Sequence, residues 1–163
     1  MKPKNRLKLS LSNPLPYQLK DVESGFTFET DFGVTYAILF TDDSDYLFGS
    51  SFINSVFSFS ITHVAGQIQQ KDPRVEQTIL NTLFLTFESS PDAVINYVCS
   101  LDDDREIARN RLFHGWYLKI GKESFEKLDH TNPENRVYSS VIFLRNHPAR
   151  EEIKRMFRQT FEK

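Results

Sequence analysis

The chain holds a single cysteine, Cys99, so no internal disulfide can form and the fold must be held by packing and hydrogen bonds. A reducing compartment is the simpler setting for such a chain, and the expectation is a cytoplasmic protein. Long apolar runs are also missing. No stretch approaches the roughly 20 residues needed to span a bilayer, and the amino terminus lacks the apolar block of a secretory signal, so no membrane partner is expected. Nor is there an excess charge of one sign. The 20 basic and 22 acidic side chains leave a formal charge of −2, which gives no overall pull toward nucleic acid. His63, His114, His130 and His147 include no pair at ligand spacing on one helix face, and a lone cysteine cannot complete a zinc site. No metal and no cofactor are expected.

What is present is enough apolar sequence for one substantial core. A length of 163 residues fits a single domain better than two small ones. Residues 1–16 carry Lys2, Lys4, Arg6 and Lys8 with Pro3, Pro14 and Pro16, a composition that favours a flexible basic arm, and the domain is expected over residues 17–163. From Tyr17 to about Val64 the pattern is that of β-structure. Residues 26–30 and 34–40 flank Asp31-Phe32-Gly33, a break with glycine where a positive φ is useful, which predicts a hairpin. Phe57, Phe59 and Ile61 alternate with Ser58, Ser60 and Thr62, as in a strand with one buried face that ends near His63.

Asp72-Pro73 marks a helix start, with aspartate as N-cap and proline at the first helical position. Val75, Ile79, Leu80, Leu83, Phe84 and Phe87 give that helix its apolar stripe, and Ser90-Pro91-Asp92 ends it. Residues 94–99 then form a short apolar run, an interior strand. Residues 125–128 and 137–144 read as a second pair of strands around Asn132-Pro133. Asn146 and Pro148 open a closing helix with Ala149, Ile153, Met156, Phe157 and Phe161 on one face and a solvated basic side at Arg150, Lys154 and Arg158.

Between the interior strand and the second pair lies a further predicted helix. Asp103 is followed three residues later by Glu106, a capping-box spacing, and Asp102 and Asp104 favour the positive end of the dipole. At about 100° per residue, Ala108, Leu112, Phe113, Trp116 and Ile120 share one arc, and Arg105 and Arg109 fall inside it. The pattern loosens after Gly115, where Leu118 leaves the arc. Two permanent charges turned toward a core need partners. Either they pair with carboxylates such as Asp102, Glu106 or Glu29, or their multi-donor heads bind a phosphate or carboxylate, with Tyr97 or Trp116 as a stacking face. The candidate ligand-binding set is therefore Arg105, Arg109, Trp116 and Tyr97, and the candidate partner an anionic small molecule.

Other constellations have ordinary readings beside their chemical ones. Asp42, Asp43 and Asp45 crowd one loop and, with residues 102–104, offer oxygens to a hard cation, but aspartates also serve turns and caps. Cys99, among valine and isoleucine, fits an inert core residue, and a nucleophilic pair would need an adjacent histidine. The 15 phenylalanines are many for this length, and Phe26, Phe32, Phe48 and Phe52 sit near turns or strand ends. They predict an apolar contact patch for a homodimer or another protein.

The expected architecture is α+β: one mixed, largely antiparallel sheet with about three helices on its faces. From Asp72 onward the order of helix, strand at residues 94–99, helix and strand pair resembles the core of the acetyltransferase superfamily related to the general-control histone acetylases. In that family a segment like Ala108-Arg-Asn-Arg-Leu-Phe-His-Gly-Trp helps to frame an acyl-donor cleft. That family's glycine-rich pyrophosphate loop has no counterpart in Gln67-Ile-Gln-Gln-Lys-Asp-Pro-Arg, where the nearest glycine is Gly66. Over residues 17–157 the chain also resembles a small bacterial family of unknown function, through Phe28-Glu-Thr-Asp-Phe-Gly, Asp42-Asp43-Ser44, Asp72-Pro-Arg-Val with Thr78-Ile79, and Asp104-Arg105 through Arg109, Arg111-Leu-Phe and Trp116. That resemblance implies a shape and carries no activity. The functional expectation is a non-catalytic binding or regulatory module, with a degenerate or divergent acyltransferase-like enzyme, holding an anion near Arg105 and Arg109, as the alternative.

Overall fold

The structure is a computed structural model that describes residues 16–43, 55–99, 111, 114–115, 117–132, 134 and 137–161. Its strands are β1 (Lys20–Val22), β2 (Gly25–Glu29), β3 (Thr35–Asp42), β4 (Val56–Ala65), β5 (Val94–Cys99), β6 (Phe125–Asn132) and β7 (Val137–Leu144). They belong to one seven-stranded sheet in the order β1-β2-β3-β4-β5-β7-β6. The sheet is mixed: β4 pairs parallel with β5, while β1–β2, β2–β3, β5–β7 and β6–β7 are antiparallel. The fold is thus α+β. Among the described residues it carries two α-helices, α1 (Pro73–Ser89) and α2 (Arg150–Phe161), where about three were expected. Neither is long and apolar enough to cross a membrane.

The third expected helix falls mostly outside the described residues. Where the chain returns, Tyr117–Gly121 form a π-helical turn, closed by Lys122 N–H donating to the Tyr117 carbonyl at 2.9 Å. A bond spanning five residues widens the turn and shifts the helical phase, which is why the apolar arc breaks near Gly115 and Leu118 stands exposed.

The chain divides into two compact units. The first comprises the residues up to Phe40 with Ser60–Pro91. Its β2–β3 hairpin turns at Asp31-Phe32-Gly33, with Gly33 at φ 73°, as the glycine predicted. The Thr30 hydroxyl accepts from Phe32 N–H and Val34 N–H, so this turn is fastened by a side chain as well as by backbone. The three-residue edge strand β1, exposed along its whole length, has no apolar alternation and was invisible to pattern reading.

Helix α1 begins as its sequence requires. The Asp72 carboxylate accepts from Arg74 N–H at 3.0 Å, and Pro73 occupies the first turn. Ile79, Leu80, Leu83, Phe84 and Phe87 are buried, and so are Thr78 and Thr82. Those threonines remain compatible with burial because each hydroxyl donates one turn back: Thr78 to the Arg74 carbonyl, Thr82 to that of Thr78, Thr86 to that of Thr82. The Tyr17 side chain locks the helix start. Its hydroxyl donates to Asp72 at 2.6 Å and accepts from Asp31 N–H, its backbone N–H donates to the Thr78 hydroxyl, and Arg74 lies 3.8 Å over its ring while bonding Asp31.

The second unit comprises Thr41–Phe59 and the chain from Asp92 onward. The β6–β7 hairpin was expected, but β6 runs four residues beyond its predicted end, because Asp129 and His130 break the apolar pattern without breaking the pairing. Val56, Val94, Val141 and Phe143 pack against Ile153 and Phe157 of α2, with Leu128, Ala149 and Met156 around them. The basic side of α2 departs from its expected solvation: Arg150 and Lys154 converge on Glu126, at 2.5 and 2.7 Å, while Arg158 is exposed. The entry to α2 is set by His147, whose Nδ1 accepts from Ala149 N–H and whose Nε2 meets the Asp92 carbonyl at 2.7 Å.

Candidate functional site

Pairing register defines the site. In the second unit, Val56 of β4 lies beside Val94 of β5, Ile95 of β5 faces Ile142 of β7, and Val141 faces Asn96 and Leu128. Directly paired residues share a sheet face and alternate residues return to it. Val56, Val94, Val141 and Leu128 therefore make one apolar layer, the layer that α2 covers. One step further along every strand, on the same face, stand Ser58, Asn96, Ser139 and His130. The change from apolar to polar is staggered: Ser58 and Asn96 lie level with Val141 and Leu128, and Ser139 and His130 follow one step later, where Ser139 pairs with Val98.

This polar layer is organised from one end. The Asp43 carboxylate, just beyond β3, accepts a hydrogen bond from the Ser58 hydroxyl, and Asp43 N–H donates to the Val56 carbonyl. The Asn96 amide Nδ2 lies 3.5 Å from the Ser58 oxygen. With the serine proton committed to Asp43, its oxygen is left to accept from Asn96. That relay fixes the amide so that its oxygen points away from Ser58. Asn96 is 5% exposed and Ser139 4%, yet among the described residues neither Asn96 Oδ1 nor Ser139 Oγ has a hydrogen-bond partner. Buried polar atoms are nearly always paired, so these two, on one face of neighbouring strands and one register step apart, are the layer's open hydrogen-bonding positions among the described residues. No cationic side chain among the described residues pairs with Asp43.

On the opposite face of the same strands, Lys127, Asp129 and Ser140 form a linked polar group. Lys127 pairs with Asp129, which also accepts from the Ser140 hydroxyl, and Ser140 lies opposite Tyr97 in the register. The Lys127 side chain is 1% exposed. An ammonium so deeply buried is tolerable only with its carboxylate beside it.

Of the expected ligand-binding residues, Tyr97 is buried on β5, on the face opposite Asn96. Arg105, Arg109 and Trp116 lie outside the described residues, as do Asp102, Glu106 and Asp45. Glu29, a suggested carboxylate partner, stands exposed at the end of β2. Gly66, the glycine nearest the stretch examined for a phosphate loop, serves packing: it adopts φ 85°, and a Cβ there would sit 2.1 Å from the Gly33 carbonyl oxygen. Pattern reading missed Asn96, Ser139 and Ser58 as site residues, and took Asp43 only as one of a loop's aspartates. A signal was available, since Asn96 interrupts an otherwise apolar interior strand and Ser139-Ser140 interrupt β7, but only the register shows that Asn96 and Ser139 fall on one face, a step apart.

Fold and site together define an α+β domain whose mixed sheet carries a buried polar layer. Residues 71–159 match the model of a family of unknown function (DUF6169), and the chain belongs to that family. No curated protein matches the chain. The matched residues include Asn96, His130 and Ser139 of the polar layer, whereas Asp43 and Ser58 precede them.

Proposed function

We propose that this chain is a non-catalytic binding module whose small-molecule ligand completes the polar layer of β4, β5, β7 and β6. The observation that carries this reading is the pair of buried, unpartnered atoms, Asn96 Oδ1 and Ser139 Oγ. Binding rather than turnover is favoured because the open hydroxyl, Ser139 Oγ, bonds to no base among the described residues. The test is a thermal-shift screen of cationic, neutral and anionic small molecules against the full chain and the variant Asn96→Leu. At a hundred times its dissociation constant a true ligand stabilises by about 2.7 kcal/mol, a rise of a few degrees in Tm, and the variant should lose that rise. A parent whose Tm no class of compound moves would refute the module.

A second site is proposed for an anion at Arg105 and Arg109, with Tyr97 and Trp116 as its stacking faces. Its support is the course of the chain: β5, which carries buried Tyr97, ends at Cys99, six residues before Arg105. Replacing both arginines with glutamine should abolish phosphate-ligand binding while leaving folding intact; loss of stability without any ligand signal from the parent would assign them to structure. An acyltransferase-like ancestry is supported by the order α1, β5, β6 and β7, and predicts a Tm response to acyl-coenzyme A. A homodimeric form of the module is supported by exposed Phe32 and Val64 in the first unit. A cytoplasmic setting is supported by the single cysteine, and one domain over residues 17–163 by the single sheet.

A further inference from the structure

We infer that the ligand of the polar layer presents a primary ammonium group, an inference that rests on the binding-module reading above. The direction of the relay decides the class. Asn96 Nδ2–H points to Ser58, Ser58 Oγ–H points to Asp43, and every donor in that line is directed at the carboxylate. What remains unspent is the acceptor Asn96 Oδ1, with Ser139 Oγ, which can accept as well as donate, one register step along the neighbouring strand. Asp43 adds a negative charge with no cationic partner among the described residues.

An anion placed here would meet the amide oxygen and find a single hydroxyl donor, and the Asp43 charge at the far end of the relay would repel it as well. A neutral alcohol would satisfy Asn96 Oδ1 but gain nothing from that charge. An ammonium supplies three donors and a positive charge together, and the bonds it makes to the amide and hydroxyl oxygens are charge-assisted.

The experiment follows the Asn96 side-chain amide of the ¹⁵N-labelled full chain by NMR during titration. The probes are ethanolammonium chloride, glycerol, sodium acetate and calcium chloride at matched ionic strength. Ethanolammonium should give a saturable shift at that amide, weakened about tenfold in Asp43→Asn and severalfold in Ser139→Ala, with both variants keeping the parent's near-ultraviolet circular dichroism. Two variants on different strands keep the test standing if one fails to fold. Saturation by glycerol or acetate but not by ethanolammonium would overturn the ammonium and leave the module intact. Saturation by calcium would replace it with a metal ion bound through oxygens. No response to any probe, together with a silent thermal-shift screen, would remove ammonium and module alike.

Discussion

Glu126 joins β6 to α2 by receiving Arg150 and Lys154 on one carboxylate, with its own side chain 12% exposed. The Arg150 hydrogen bond, reinforced by Lys154, holds its pKa down at about 2, against an ordinary 4.5. A carboxyl depressed in the folded state stabilises fully above its unfolded value, and that contribution fades as pH falls from about 4.5 toward about 2. Glu126→Gln should therefore cost about 1–2 kcal/mol at neutral pH, and urea midpoints of parent and variant should converge near pH 2. Tyr17 works at the other end of the scale. Burial raises its phenol above the ordinary value, and the bond to Asp72 adds to the rise. Its contribution is complete below about pH 10 and is lost as the phenol ionises at higher pH. Tyr17→Phe should flatten that alkaline limb. On the face of β6 opposite Leu128, Asp129→Ala would remove the carboxylate that pairs with Lys127 and should lower the urea midpoint, whereas Lys127→Met should be close to neutral in the same denaturant titration.

At the scale of elements, α1 separates two roles for threonine. Thr78 accepts from buried Tyr17 N–H, so Thr78→Val should cost about 1–3 kcal/mol, while Thr82, whose hydroxyl only donates back along the helix, should tolerate valine within about 0.5 kcal/mol. Thermal unfolding of the two variants checks the contrast. The close passage of the two loops makes a similar pair. Gly66→Ala meets the Gly33 backbone and should be severely destabilising, while Gly33→Ala, with open space around it, should cost only about 1–2 kcal/mol for its positive φ. Most elements were legible in the sequence because each is specified locally: Asp72-Pro73 needs only its own helix, and the Gly33 turn only its two strands. The π-helical turn at Tyr117–Gly121 left a trace in the broken arc after Gly115. The polar layer left only interruptions whose meaning no single strand could reveal. Asn96 alone reads as a blemish in an apolar run, and Ser139 as a common strand serine; their meaning lies in a register that joins residues 38 to 81 positions apart.

Across the whole molecule the charge is nearly balanced, with a sequence pI near 6.1, so solubility should be lowest around pH 6 and self-association strongest there. Light scattering across pH 5–8 would detect it, and Phe32→Ser should reduce it if the exposed phenylalanine carries the contact. Topology also orders events in time. The β6–β7 hairpin closes a short loop, and β5 then adds to β7, but the parallel pairing of β4 with β5 must wait for the ends of residues 59–93 to come together. The relay from Asp43 through Ser58 to Asn96 spans that last seam. A chain caught partway through folding, however much helix and hairpin it already has, would hold no competent receptor, so ligand capture should follow the slowest kinetic phase and none of the earlier ones.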